Sequence, residues 1–358
     1  MKLNITAHLA LYFLIIGCCS CVQESPQIKV VCERVCDENI YLFKWEVLPL
    51  INGSVKIYSS SDPDHFDFSQ TPFEVKISDG LTRLPIKEKN ERIFFLMEFN
   101  NRFKKVTAAR FPCPDKIKNL RDIGGYNNKE GKMTKWAKVF RAGDIDVPKN
   151  EKDRHIVNQI KIKTIFDFRD EKEREYPLDT GSFKNTSRIT NPIPNPLNSQ
   201  IIQMILDGKM RKGDVRLYMQ GRYLDMYENA DIYFGAMFEC LLDPENYPVI
   251  ITSEKGIDRT GFGIALLMMA LDIPSETIIE EYLLSRKQID IPLYMRENKQ
   301  ISPEQQEVIS LLLNPQNKVI PMIFSQISHD YGSVDNYLER KLKLDRNKQK
   351  KLKELLLY

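Results

Sequence analysis

The residues with the clearest chemical potential lie between Thr252 and Gly261, in the order Thr-Ser-Glu-Lys-Gly-Ile-Asp-Arg-Thr-Gly. Ser253 offers a hydroxyl, Asp258 can give or take a proton, and Arg259 carries a planar fork that matches two phosphate oxygens. The flanking pattern predicts how they are held. Val249 to Thr252 is a β-branched run that predicts a buried strand, and Thr260 to Leu271 predicts a helix that is apolar almost all round. Strand, tight loop and buried helix predict an anion site. The loop N–H groups and the first helical turn aim at one spot, where the helix dipole places roughly half a positive charge. Ser253, Glu254, Lys255, Gly256, Ile257, Asp258, Arg259 and Thr260 are therefore the candidate phosphate-binding residues, with Ser253, Asp258 and Arg259 at the chemistry. A purely structural ion pair is the other reading of Arg259, and a loop with no ligand is the other reading of the stretch.

This loop resembles that of the Cys-x5-Arg protein-tyrosine phosphatase superfamily, and most closely the bacterial, dual-specificity-like branch that reads His-Cys-x-x-Gly-Lys-Asp-Arg-Thr-Gly. Gly256, Asp258, Arg259, Thr260 and Gly261 match; Thr252 stands for His, Ser253 for the nucleophilic Cys and Ile257 for Lys. Three earlier stretches carry the same resemblance. Asn119 to Tyr126 (NLRDIGGY) is similar to the motif that opens the catalytic domain, Trp136 to Asp144 (WAKVFRAGD) to its W-x-x-x-(F/Y)-R segment, and Ile162 to Glu173 (IKTIFDFRDEKE) to its D-L-R-x-x-x-E strand and turn. Asp122, Asp167 and Arg169 are the supporting residues this implies. Asp167 and Arg169 sit at the carboxyl end of a predicted strand, where ligands bind in open α/β sheets, or else form an ion pair that fixes the turn.

In the family a Cys thiolate attacks phosphorus and the loop Asp protonates the leaving oxygen. The thiol is usable because its surroundings depress a pKa of about 8.5. A serine hydroxyl is a much weaker acid and needs a base, which Thr252 cannot supply. The resemblance therefore implies a phosphate cradle that outlasts its chemistry: a pseudophosphatase holding a phosphorylated protein, peptide or small phosphomonoester of phosphotyrosine type. A working phosphatase using Ser253, or a water activated by Asp258, is the alternative. A non-catalytic scaffold acting through the amino-terminal part is the second. No metal or cofactor is expected.

The chain has 358 residues, 42% hydrophobic and 28% charged, which suits about two globular domains. Its net charge of +3 is too small to argue for nucleic acid. Lys2 followed by the apolar Leu9 to Ile16 predicts a signal peptide over 1–21, and Ile15-Ile16-Gly17-Cys18 resembles a bacterial lipobox, which implies lipid attachment at Cys18. The expectation is a membrane-anchored, extracytoplasmic lipoprotein. Residues 22–111 hold short runs rich in β-branched and aromatic residues, with turns at Asn52-Gly53 and Asp79-Gly80, and predict an all-β immunoglobulin- or fibronectin-like sandwich. Asp62, Asp64, His65 and Asp67 read as a polar loop rather than a metal site. A Cys32–Cys36 disulfide is conceivable but disfavoured on one strand, and Cys113 and Cys240 look isolated.

Pro112 and Pro114 mark the boundary to a tyrosine-phosphatase-like domain over 112–358. There the pattern predicts α/β: a central, mostly parallel sheet flanked by helices. Helical spacing runs through 201–240, where the resemblance implies a cap beside the loop. Ser275 is read as a helix N-cap, and Ser302-Pro303-Glu304-Gln305 as a capping box opening an α-rich tail.

Overall fold

The computed structural model describes residues 25–85, 92–146, 150–174, 182, 183, 185–194, 198–288 and 301–358. Residues 1–21, read above as a signal peptide, and with them Cys18, lie outside the described residues. Seven strands come first: β1 (Gln27–Val35), β2 (Ile40–Leu48), β3 (Ser54–Ser60), β4 (Phe73–Lys76), β5 (Leu81–Pro85), β6 (Phe94–Phe99) and β7 (Phe103–Ala108). They form two antiparallel sheets, ordered β1-β2-β5 and β4-β3-β6-β7. Along β2 the residues Tyr41, Phe43, Trp45 and Val47 are buried in alternation, as one-sided burial requires. They meet β6 of the other sheet, where Tyr41 and Phe43 each set an edge against Phe95 at 4.8 Å.

The second part carries β8 (Arg121–Asp122), β9 (Val139–Ala142), α1 (Glu151–Ile160), β10 (Thr164–Asp167), β11 (Ser187–Thr190), α2 (Asn198–Leu206), α3 (Lys212–Glu228), α4 (Ala230–Leu242), β12 (Val249–Thr252), α5 (Asp258–Ala270) and α6 (Ser275–Leu283). Helices Pro303–Leu313, Val319–Tyr331, Val334–Arg340 and Arg346–Leu356 follow. The sheet order is β11-β10-β12-β9-β8, parallel except for β8 against β9. Strand residues are buried on both faces. Val249 and Ile251 join the larger core with α3 to α6, while Ile250, Ile165 and Phe140 face α1 through Ile156, Val157 and Ile160. The register sets Ala142, Thr252 and Asp167 level, so β9, β10 and β12 end together. The loop after Thr252 leaves from that shared edge, at the middle of the sheet.

The two parts are tied. Cys36 is disulfide-bonded to Cys113, 77 residues on, which corrects the expectation that Cys113 is isolated. Cys32 faces the core as a free thiol. Residues four apart on a strand lie about 13 Å apart, beyond disulfide reach, so Cys32 could not pair with Cys36. Trp136 packs against Phe94 and Ala108. Arg110 lies over the rings of Tyr126 and Trp136 and donates to the carbonyls of Asp122 (2.8 Å) and Gly124 (2.6 Å). Ser302 and Gln305 form the expected capping box, whereas the helix expected to be capped by Ser275 begins one residue earlier, with Pro274 as its N-cap. Among the described residues no helix is long and apolar enough to cross a membrane.

Candidate functional site

The loop 253–257 is shaped from below by donors on neighbouring segments. The Gly256 carbonyl accepts from Asn119 Nδ2 at 2.7 Å and from Arg141 Nη2, and the Glu254 carbonyl accepts from the Asp144 N–H at 3.1 Å. Both following peptide bonds are trans. In a trans peptide the N–H points opposite to the C=O, so the N–H groups of Lys255 and Ile257 face away from these donors. Backbone N–H groups turned that way ahead of a helix N-terminus are donors of the kind that can bind an anion. Gly256 is required twice over. Its φ is +64°, and a Cβ there would stand 2.3 Å from the Ala142 carbonyl oxygen, which is backbone and cannot swing aside. Gly256→Ala is therefore expected to cost about 1–2 kcal/mol for the left-handed backbone and a similar amount for the overlap. A urea midpoint measures the loss; an unchanged midpoint would show that the loop is not held against β9.

The side chains divide by role. Ser253 is 2% exposed and its Oγ lies 2.8 Å from Thr260 Oγ1. Among the described residues its hydrogen-bond partner is thus another hydroxyl, not an imidazole or carboxylate. Thr252 turns away and donates to the Gly143 carbonyl at 2.5 Å. Ile257 is packed in the core and serves the loop through its backbone alone. Lys255 is half-buried; burial holds its ammonium below the ordinary value, Lys118 and Arg222 push the same way, and Glu254 and Asp258 oppose them. Glu254 stands beside it, also half-buried. The thiols of Cys32 and Cys240 are buried and raised by that burial, so neither is an activated sulfur.

Arg259 is 3% exposed and fully engaged along one edge. Nη1 donates to Glu173 Oε2 (2.7 Å) and to the carbonyls of Phe168 (3.0 Å) and Ile193 (3.2 Å), and Nη2 donates to Glu173 Oε1 (2.5 Å). These four bonds use only Nη1 and Nη2 and fix the plane of the guanidinium.

Asp258 opens α5 with its side chain 21% exposed, 3.7 Å from Arg222 Nη1. Tyr223 of α3 donates to its Oδ1 at 2.7 Å. Behind it the Tyr282 hydroxyl lies 2.7 Å from that of Tyr223 and accepts the Gln316 N–H at 3.2 Å. Each hydroxyl has one proton. Tyr223 gives its proton to the carboxylate, so Tyr282 must donate to Tyr223, and the chain runs one way toward Asp258. Oδ1 is thereby committed, and Oδ2 is the oxygen that faces Arg222, 3.7 Å from its Nη1. Burial, and then the Asp258 charge, raises the Tyr223 hydroxyl well above its ordinary value, so it stays a donor.

The supporting residues are structural in their contacts. Arg169 forks onto Asp167 (2.9 and 3.0 Å) and reaches Asp144 (2.9 Å) and Asp146 (3.0 Å), the turn-fixing arrangement that was one of the two readings. The Asp122 carboxylate accepts the N–H groups of Gly124 (2.7 Å) and Ala137 (2.8 Å) and pairs with Arg92 of the strand-rich part. None of those partners is in the loop, so Asp122 braces the frame. Glu173, Asn119, Arg141 and Tyr223 were not expected at the site. The first three stand in the very stretches quoted above, and Glu173 closes one of them.

Comparison with known proteins agrees with this frame. A model of the tyrosine phosphatase family matches residues 114–358. A Cupriavidus necator protein whose name places it among tyrosine-protein phosphatases is 22% identical over 237 residues, spanning 64% of this chain and 84% of that protein. Among solved structures, the core catalytic domain of the PP-IP phosphatase Siw14 from S. cerevisiae, in complex with citrate, is 15% identical, covers 52% of this chain and 86% of its own, and gives a TM-score of 0.27. A second structure of the Siw14 catalytic core is 16% identical, covers 57% and 90%, and gives 0.26. With residues 114–358 of 358 matched, the chain belongs to the tyrosine phosphatase family.

Proposed function

We propose that loop 253–259 binds phosphorylated ligands of phosphotyrosine type and hydrolyses them little or not at all, because Ser253 occupies the nucleophile position. One observation carries this reading: the Ser253 hydroxyl is buried against Thr260, with neither an imidazole nor a carboxylate as its hydrogen-bond partner among the described residues. Family membership and the name of the C. necator relative support a phosphoester ligand. Removing the catalytic nucleophile of a serine protease costs about 10⁶-fold in rate, and a hydroxyl without a base approaches that loss. Phosphate binding depends on the loop amides, the α5 terminus and Arg259, none of which needs the sulfur. Oδ2 of Asp258, partly exposed beside Arg222, favours a second reading in which it activates a water or Ser253.

Lipid attachment at Cys18 would anchor the protein to a bacterial membrane outside the cytoplasm, on its periplasmic or cell-surface side. The Cys36–Cys113 disulfide supports an oxidising compartment. In this reading residues 22–111 are an immunoglobulin- or fibronectin-like module and 112–358 the phosphatase-like domain.

Titration with tungstate or a phosphotyrosine peptide tests the binding. Saturable binding by wild type, lost in Arg259→Ala, is expected; no binding, or equal binding by the variant, defeats the proposal. Aryl phosphate cleavage by Ser253→Cys, and more by Thr252→His/Ser253→Cys/Ile257→Lys, is expected to exceed that of wild type. Wild-type turnover lost in both Ser253→Ala and Asp258→Ala would install the second reading.

A further inference from the structure

Beneath the loop, two arginines share one carboxylate. Arg121 Nε and Arg141 Nη1 each donate to Glu281, to Oε1 and Oε2, both at 2.8 Å. Arg121 and Arg141 are 0% exposed and Glu281 is 1% exposed. Among the described residues neither arginine pairs with a second carboxylate, so the buried group carries a surplus positive charge. Arg141 delivers it to the site. Its Nη2 donates to the Gly256 carbonyl, and a Cβ on Gly261 would stand 3.2 Å from that same nitrogen, so the guanidinium lies against both the loop and the first turn of α5. Its Nε is buried without a hydrogen-bond partner among the described residues.

A cation at the positive end of a helix, in a dry interior, is a costly arrangement unless something negative answers it. Glu281 is one carboxylate shared between two arginines, so it answers only one of the two charges. Burial, and then Arg141 itself, pulls Arg121 down to about 10, and Arg110 adds a third cation near Glu281. Burial raises the Tyr282 hydroxyl, the Asp258 charge adds to that and the Arg141 charge opposes it. The group that would answer this charge is an anion seated in the loop, and the attraction grows in proportion to the anion's charge.

We propose that Arg141 is a positioning residue that makes the loop select doubly charged phosphomonoesters over singly charged esters. The proposal rests on the loop binding phosphate, as read above. Arg141 acts through Gly256 and through its field, without touching the ligand.

The test compares O-phosphotyrosine, close to −2 at pH 7.5 because its second pKa is about 6, with the near-isosteric, singly charged O-sulfotyrosine. Calorimetry on the full chain gives the affinity ratio for wild type, Arg141→Gln and Arg141→Lys. Wild type is expected to prefer the phosphate ester by at least about tenfold, or 1.4 kcal/mol. Arg141→Gln should lose most of that ratio, while Arg141→Lys, which keeps the charge, should retain it even if both ligands bind less well. If Arg141→Gln does not fold, Glu281→Gln, which adds a positive charge, should raise the ratio. Equal losses for both esters in Arg141→Gln, or an unchanged ratio in Glu281→Gln, would reduce Arg141 to a structural brace and overturn the proposal. Wild type binding both esters equally overturns the selection alone. Wild type binding neither overturns the reading of the loop on which it rests.

Discussion

Glu173→Ala is expected to cost the fold about 3–5 kcal/mol and to abolish phosphate binding in the same variant. The carboxylate and the Arg259 guanidinium are 4% and 3% exposed, so removing one partner leaves the other buried and unanswered. A loss of that size is a large share of the total of about 5–15 kcal/mol that holds a domain together. The binding loss has a separate origin. The bidentate pair fixes the guanidinium plane, and without it the fork no longer presents a defined edge to an oxyanion. A double replacement separates the two effects. Glu173→Leu with Arg259→Met substitutes two apolar side chains for the ion pair and should recover most of the stability, since well-packed replacements of buried pairs are often neutral. It should still bind no phosphate. Urea denaturation and tungstate titration on the same samples read both outcomes. If Glu173→Ala binds tungstate as wild type does, the pair is structural and Arg259 is not the anion's anchor.

Strand, loop and helix were legible at 249–271 because the signals there are local. A β-branched run and a helix with no polar face permit little else, and α5 is indeed buried from Arg259 through Ala270. What holds Arg259 was not legible in the same way. Glu173 is 86 residues distant, and it reaches the guanidinium only because β10 and β12 pair in parallel with Asp167 level with Thr252. No periodicity encodes that register. The same holds for Asn119 and Arg141, which meet at one carbonyl from two different segments. Tyr223 sits in the helical stretch 201–240; it is core, and its hydroxyl is also the partner of Asp258. In the strand-rich part β5 (LTRLP) is not one of the runs rich in β-branched and aromatic residues. Its residues alternate between exposed and half-buried with none fully inside, so it lacks the apolar alternation that marks a strand.

Breaking the Cys36–Cys113 bridge is expected to lower stability by about 4 kcal/mol while leaving phosphate affinity unchanged. The size follows from the loop it closes. The two cysteines are 77 residues apart, and cross-linking that span removes chain entropy worth about 4–5 kcal/mol from the unfolded state in the loop-closure account. The span contains most of both sheets, so the cross-link restrains almost the whole strand-rich part before it folds. The affinity should not move, because the cradle is held by Asn119, Arg141 and Asp144, and none of them touches either cysteine. The ties that remain after reduction, Arg92 to Asp122 and Trp136 against Phe94 and Ala108, keep the two parts in contact in the native state. Guanidinium unfolding of Cys36→Ser/Cys113→Ser beside wild type, with and without reductant, measures the effect. Reductant should shift the wild-type midpoint to that of the variant and leave the variant where it is. Coincident midpoints for oxidised wild type and the variant would mean that the span is already restrained without its cross-link. The disulfide would then have to be explained by something other than stability.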